Sequence, residues 1–495
     1  MLSFLLSWAP VLLLTVLAVF FRMPALTLSI CGSLFTLPYV VILFKTSLTV
    51  ALLSALDGIV TTLPLLLVVF AGIMLSTLLQ ATGSLSRIVT WFMGGVRDAL
   101  HRSLLIIFGV ANFMEGASVI AEPVVAPMLR SAGVSPAGSA ALSIIGYSGL
   151  MTLEMAGIIV TVLSLVTGIP VYELGVAAGW LSIPATAAMA ACVPLFLPRF
   201  APVTRQLLLA IGCGLCVSAA ALGTVIYAGV PVSGMLGGLS VIVVLILAGP
   251  RRMGLTRGIL RDLAPFAFML TALFMVNIVP PLRELTARRL CITVQVIPVH
   301  PITLQPLFSA YLYLFAAFGL AAALLKVPKV TLYEVMHISL AKGWRACVAM
   351  GLFGAMGQMI AYSGYADNFN SMEQSCNIPW ILAHGLQIYT GTFYPLFIPL
   401  LGWVGTFLTG YGVASLMLFG KLQVQAAELL GVSATWLAAG LAVGASIGSI
   451  SSPFKIAIAT PMCGAIGQEG AILRRTIPLG IAASLLIGLI LWGGL

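Results

Sequence analysis

Charge is what this chain of 495 residues has least of: Asp, Glu, Lys and Arg make 7% of it, against 61% hydrophobic residues. A soluble globular protein carries about a quarter of its residues as charges, so an ordinary soluble fold is excluded and the chain is an integral membrane protein. A bilayer-spanning helix takes about 20 mostly apolar residues, and the apolar runs leave no room for a soluble domain of ordinary size. Acid is scarcer than base, 13 Asp and Glu against 23 Lys and Arg, for a net charge of +10. The basic residues sit in loops between apolar runs, which reads as positive-inside topology and not as nucleic-acid binding. H-E-x-x-H, G-x-S-x-G and P-loop patterns are also absent, so nothing calls for an enzyme. The first apolar run, 2–21, lacks a basic lead-in and an A-x-A-like cleavage site, and reads as a retained span. Among the eight cysteines, Cys213 and Cys216 form a C-x-x-C, but in an apolar run with no His or carboxylate beside it, which argues against metal or redox chemistry.

Apolar stretches of spanning length fall near 2–21, 25–44, 58–80, 140–166, 174–197, 207–229, 232–249, 264–281, 303–325, 346–363, 434–460 and 476–494. Two more, near 104–129 and 398–427, are broken by Gly, Pro or charge. Irregular backbone at membrane depth is tolerated only where protein or a water-filled cavity satisfies it, so these read as re-entrant hairpins. The basic residues Arg87, Arg97, Arg102 and Arg130, then Arg199 and Arg205, then Arg251, Arg252, Arg257 and Arg261, then Lys326, Lys329, Lys342 and Arg345 mark cytoplasmic loops. The first hairpin then enters from the cytoplasm. The second, preceded by Asp367 and Glu373, enters from outside. The cluster Arg283, Arg288 and Arg289 falls on the outer side and counts against the scheme. An internal repeat at an offset of about 298 residues aligns Gly133 with Gly431, Gly146 with Gly444, Ser148 with Ser446 and Ile158 with Ile456. Repeats of opposite orientation, each with a discontinuous element, are the signature of a secondary transporter with its site near mid-membrane.

The expected fold is an all-α polytopic membrane protein with about 12 transmembrane helices, two re-entrant hairpins and two inverted repeats. One repeat and hairpin lie in 1–200, connecting helices in 201–300, and the second repeat and hairpin in 301–495.

The chemistry sits in the broken segments. The first hairpin reads FMEGASVIAEP (113–123), with Glu115 and Glu122 each followed by a helix breaker. A carboxylate inside the membrane is costly unless paired or protonated, and is a functional hypothesis by default. The next span is interrupted at GYSG (146–149), around Tyr147 and Ser148, and carries Glu154. Its repeat counterpart, GASIGSISSPFK (444–455), holds Ser449, Ser451 and Lys455. Two readings of Lys455 stand open: a buried ion pair with Glu154, or contact with an anionic substrate. In the second hairpin, GTFLTGYGVAS (405–415), Gly410 and Gly412 flank Tyr411 in a turn whose N–H groups suit an anion. Thr409 adds a hydroxyl, and a helix is expected to start near Ala414. The segment Arg87 to Arg102, with Trp91 and Phe92, reads as an amphipathic arm in the interface. Asn112, Gln358, His384 and Gln387 read as packing hydrogen-bonders.

At these residues the chain resembles the L-lactate permease family, which includes glycolate permeases and falls within a broader group of ion-coupled carboxylate transporters with inverted repeats and paired hairpins. The resemblance covers about 65–495. It is strongest at Glu115, Gly116 and Pro123, at VTGIPVYELG (166–175), PLLGWVGTFLTG (399–410), GVSATWLAAG (431–440) and ISSPFKIAIA (450–459). It implies proton-coupled uptake of a small 2-hydroxymonocarboxylate such as L-lactate or glycolate. The chain departs from the family where substrate should bind. Tyr411, Gly412 and Val413 stand for a polar Ser, Asp and Thr run, Ser449 for a Lys that here appears at Lys455, Glu122 and Glu154 for small residues, and Tyr147 for Asn.

The expected substrate site is therefore Lys455 with Ser449, Ser451, Tyr147, Ser148, Thr409, Gly410, Tyr411 and Gly412. Glu115 is the first choice for the proton carrier, with Glu154 and Glu122 beside it. The expected partners are a small organic anion, protons or sodium, and the lipid of a bacterial inner membrane, with a homodimer open. Two alternatives stand: the same fold carrying another carboxylate or a sodium-coupled substrate, and a scaffold or channel-like subunit.

Overall fold

The computed structural model describes residues 2–21, 23–94, 96, 98–248, 254 and 256–494; Arg97, Arg251 and Arg252 lie outside them. Among the described residues ten helices are long and apolar enough to cross a membrane, and the chain is a polytopic, very largely helical membrane protein. The sequence suggests about twelve spans; the runs 2–21, 140–166, 303–325 and 346–363 have no counterpart among the ten, whereas Ile378–Thr409 and Gly412–Leu430, across the second broken stretch, are long and apolar enough to be counted. The run 2–21 is two pieces, Leu2–Ser7 and Ala9–Val19. Helix in the run 303–325 is confined to Ala310–Leu324. The run 346–363 belongs to a longer helix, Lys329–Ala361.

Within the all-α fold the described residues include one short β-ribbon. Ile292–Ile297 and His300–Leu304 form an antiparallel ribbon. Five β-branched residues, Ile292, Thr293, Val294, Val296 and Ile297, favour extended backbone, while Pro298 and Pro301 deny the segment continuous helix.

The longest helix, Leu48–Ala81, starts at Ser47, whose side chain accepts from the Val50 N–H at 3.2 Å; such a cap satisfies one of the orphan donors of a helix start. It packs along Lys329–Ala361. At its far end Ser84–Gly94 lies as an amphipathic arm, with Leu85, Ile88, Val89 and Phe92 buried and Ser86, Arg87 and Thr90 exposed. Arg87 grips Asp262 through Nε and Nη2 at 2.7 and 2.6 Å, and Ser84 donates to the same carboxylate at 2.8 Å.

Both broken apolar stretches are helix–turn–helix units. The first runs through Ala99–Leu104, a π-helical Leu105–Val110 and Ala111–Gly116, turns over 117–121 and leaves along Glu122–Ser131. The second is Tyr394–Thr409, a turn at Gly410 with φ +80°, and Gly412–Leu430; its second helix opens at Gly412, two residues before the expected start. Two spans are discontinuous: Pro136–Ser148 with Ile158–Thr167, and Ala434–Gly448 with Pro453–Cys463. The packing is reciprocal. Ile158–Thr167 lies against Gly412–Leu430 and Ala434–Gly448, while Pro453–Cys463 lies against Glu122–Ser131 and Pro136–Ser148.

Gly146 and Gly444 make equivalent close approaches. A Cβ on Gly146 would sit 2.0 Å from the Ile107 carbonyl oxygen, and one on Gly444 1.9 Å from that of Pro399. Gly444→Ala is expected to destabilise by about 1–3 kcal/mol, the usual cost of overpacking. Gly212→Ala, with nothing within 4 Å of its Cβ position, should be neutral or stabilising. Thermal melts of the two purified variants check the contrast.

Candidate functional site

The site assembles at the first helix–turn–helix unit. Its chain reverses after Gly116, with Ser118 at φ +59°, and the Glu115 carboxylate ties the turn by accepting the Ala121 N–H at 2.8 Å. Glu122 opens the next helix with Pro123 behind it, a position where the missing N–H costs nothing. Tyr147, in the last turn of Pro136–Ser148, donates its hydroxyl to Glu122 Oε1 at 2.6 Å. Lys455 enters from the other half of the chain, in the first turn of Pro453–Cys463. Its Nζ donates to the Tyr147 hydroxyl at 2.8 Å, lies 3.6 Å from Glu122 Oε1 and stands 4.7 Å from the centre of the Tyr147 ring. The Glu122 side chain is 1% exposed and that of Lys455 13%. The phenol thus relays a buried ion pair: it accepts from the ammonium and donates to the carboxylate.

Glu154 does not join that pair, which corrects one of the two sequence readings of Lys455. The helix expected to unwind at 146–149 holds through Ser148, which keeps Tyr147 on a helix within reach of Glu122. Irregular backbone starts at Gly149. Glu154 itself is extended (φ −92°, ψ −166°), followed by Met155 and Ala156 at φ +50° and +52°. Both Glu154 oxygens are buried without a hydrogen-bond partner, as is Glu122 Oε2. Its stem borders the turn that carries Glu115: a Cβ on Gly234 would lie 2.9 Å from Glu154 Cγ and 3.0 Å from Gly116 Cα. An ionised carboxylate with neither oxygen satisfied is strongly disfavoured away from water, so this geometry accommodates the neutral acid.

The remaining expected site residues divide. Ser449 donates to Met151 Sδ at 2.9 Å and so joins the two discontinuous spans. Ser148 bonds back to the Ile144 carbonyl at 2.6 Å, and Ser451 is taken up by the Thr476 carbonyl and Trp403 Nε1 at 3.0 and 3.3 Å. Neither faces Lys455. Thr409 lies 2.7 Å from the Gly405 carbonyl oxygen and 3.0 Å from that of Tyr411, closing the second turn on itself. The Tyr411 ring packs on Phe454 with centroids 5.1 Å apart, and Gly410 leaves room for it, since a Cβ there would meet Phe454 Cβ at 2.8 Å. A cavity of about 680 Å³ opens beside this turn, lined by Thr409, Gly410, Pro453 and Phe454 among others.

One contact and one unpartnered hydroxyl are not marked by the sequence. Thr152 and Ser446 hydroxyls meet at 2.5 Å across the two discontinuous spans, and Thr406 Oγ1 is buried without a partner, 3.8 Å from the Cβ position of Gly412. Ser446 is the repeat mate of Ser148, a register that could have marked it. Asn112 does act in packing: it donates to the Gly146 and Phe108 carbonyls at 3.0 and 2.7 Å. His384 stacks on Trp380, Gln387 donates to the Leu429 carbonyl, and Cys213 and Cys216 are free thiols.

With this geometry in view, comparison with known proteins is decisive. Residues 3–249 and 255–492 match the family model described as L-lactate permease. The chain belongs to the L-lactate permease family. It is thus a multi-pass membrane protein of a permease family. It is 25% identical over 450 residues to an L-lactate permease of Streptococcus iniae, covering 87% of this chain and 92% of that protein. It is 28% identical over 207 residues to a glycolate permease of Escherichia coli (strain K12), covering 40% and 34% of the two chains. A third relative, an L-lactate permease of Salmonella typhi, is 33% identical over 136 residues, covering 28% and 23%. The chain thus spans about a third of the glycolate permease and about a quarter of the Salmonella protein. The YdaH transporter structure of Alcanivorax borkumensis aligns over 95% of this chain and 98% of that one, at 12% identity and a TM-score of 0.49.

Proposed function

We propose that the chain is a secondary active transporter of the bacterial inner membrane that takes up a small 2-hydroxymonocarboxylate of the L-lactate or glycolate type together with a proton. The observation that carries this reading is the relayed pair of Lys455 with Glu122 through Tyr147. Lys455 is the cation for the substrate carboxylate, and Glu122 holds its place when substrate is absent. Substrate arriving beside an ionised Glu122 would put two anions on one buried cation, and an uncompensated buried charge costs several kcal/mol. A proton on Glu122 removes that conflict. Substrate anion and proton therefore enter together. On release to the inside the proton leaves Glu122, which pairs again with Lys455 for the return of the empty carrier.

Sequence gave the proton first to Glu115. The role moves to Glu122 in this proposal because Glu122 touches the Lys455 relay, whereas Glu115 bonds the backbone of its own turn; Glu154 is a reserve acid beside it. Tyr147 positions the pair; in the second turn the N–H groups of Gly410 and Tyr411 are taken by the Thr406 carbonyl and Thr409 Oγ1, which leaves the Gly412 N–H, with the Ser449 hydroxyl once it releases Met151, to complete the substrate contacts. The two helix–turn–helix units are read as re-entrant hairpins and the two discontinuous spans as inverted repeats, supported by their reciprocal packing and by the matched approaches of Gly146 and Gly444. Proteoliposomes preloaded with L-lactate test the reading. Labelled lactate or glycolate should accumulate by counterflow, and an inward proton gradient without sodium should drive net uptake. Sodium dependence would favour the alternative coupling ion, and no saturable flux of any short carboxylate would defeat the transporter reading.

A further inference from the structure

The second buried ionic cluster among the described residues lies away from Lys455, where the ribbon meets the helices. His300, on the strand His300–Leu304, is inserted between Asp57 of Leu48–Ala81 and the end of Ile158–Thr167. Its Nδ1 lies 2.8 Å from Asp57 Oδ2 and its Nε2 2.7 Å from the Leu165 carbonyl oxygen. The Asp57 side chain is fully buried and that of His300 13% exposed. A carbonyl oxygen only accepts, so Nε2 carries a hydrogen. The opposite contact then needs one more proton, on Nδ1 or on Asp57, since two bare acceptors would repel. Whichever atom holds it, the pair has one proton more than a neutral imidazole beside an ionised carboxylate.

We propose that the His300–Asp57 pair is a second proton-binding site, and that its proton pins the 292–304 ribbon to the end of the discontinuous span that carries Glu154. The Leu165 carbonyl is among the last of its helix, a group that needs a partner from outside the helix. The ribbon supplies it only while Nε2–H is held in place by the bond on the other side of the ring. The groups facing the imidazole are Asp57, the Tyr362 ring with its centroid 6.3 Å away and Tyr365 packed on it, and Lys421 from Gly412–Leu430, whose charge opposes protonation. Burial also opposes it, but the hydrogen bond and charge of Asp57 prevail and raise the His300 pKa above its ordinary value. A raised value means that the pin is present at low pH and is lost as pH climbs through it. The helices that pack at this end run to basic ends, Arg87 beyond Ala81 and Lys329 at the start of Lys329–Ala361. The positive-inside rule puts those ends in the cytoplasm and the ribbon outside. The second site therefore reads external pH.

Hydrogen exchange of the full chain in lipid nanodiscs, with no substrate, tests this independently of transport. Measurements about one pH unit below and about three above 6.5, a window set toward high pH because the His300 value is raised, corrected for intrinsic exchange, should find the ribbon amides exchanging at least about tenfold faster at the higher pH. His300→Gln should exchange fast at both, and His300→Lys, whose charge persists, slowly at both. Equal protection of the native chain at both pH values, or full pH dependence in either variant, would overturn the proposal.

Discussion

Replacing Lys455 by methionine is expected to abolish saturable uptake of lactate and glycolate. Truncating one partner of a buried charge pair costs about 2–5 kcal/mol, or roughly 30- to several-thousand-fold in affinity, and on this account the same ammonium serves Glu122 and the substrate in turn. The variant also leaves Glu122 buried and unpaired, a loss of about 3–5 kcal/mol that destabilises the fold by itself. The double variant Lys455→Met with Glu122→Gln separates the two effects. Removing both charges should restore the melting temperature toward that of the native chain without restoring uptake. If the double variant transports, Lys455 is structural. Lys455→Arg is not a conservative control, because a planar guanidinium cannot repeat a point-charge contact with one phenol oxygen.

Glu122→Gln is the second large effect. With an amide in place of the carboxylate, no proton has to arrive before the substrate anion meets Lys455. Exchange of labelled for unlabelled lactate should persist, while concentrative uptake driven by a proton gradient should fall to background. Substrate affinity should also lose its pH dependence, whereas in the native chain, where each substrate anion binds together with a proton, it weakens as pH rises. Glu115→Gln keeps an amide oxygen that can still accept the Ala121 N–H, so the turn should hold and both exchange and proton-driven uptake should persist. Driven uptake lost with exchange intact in Glu115→Gln, and retained in Glu122→Gln, would return the proton to Glu115.

The bilayer, the near-absence of soluble structure and the positions of the four broken segments were legible because membrane burial makes every charge and every glycine–proline break conspicuous against an apolar background. Glu115, Glu122, Glu154, Tyr147 and Lys455 were all singled out for that reason. Their partners were not legible. Whether Lys455 meets Glu122 or Glu154 depends on where the helix after Pro136 lets go, and a shift of three residues, from Gly146 to Gly149, keeps Tyr147 on a helix and leaves Glu154 in irregular backbone without a partner. Ser148 and Ser451 looked like ligands because unwound segments expose hydroxyls, yet each is consumed by a nearby carbonyl. The ribbon that brings His300 to Asp57 was hidden inside a connecting region, since a contact 243 positions apart in the chain leaves no local signature.

The central claim is that substrate anion and proton bind as one event at the Lys455–Tyr147–Glu122 relay. Titration calorimetry of L-lactate into the purified protein, repeated at neutral pH in buffers of different ionisation enthalpy, measures the protons taken up per substrate bound. The account predicts about one proton per lactate in the native chain and about none in Glu122→Gln. Saturable binding with no proton uptake in the native chain would contradict it.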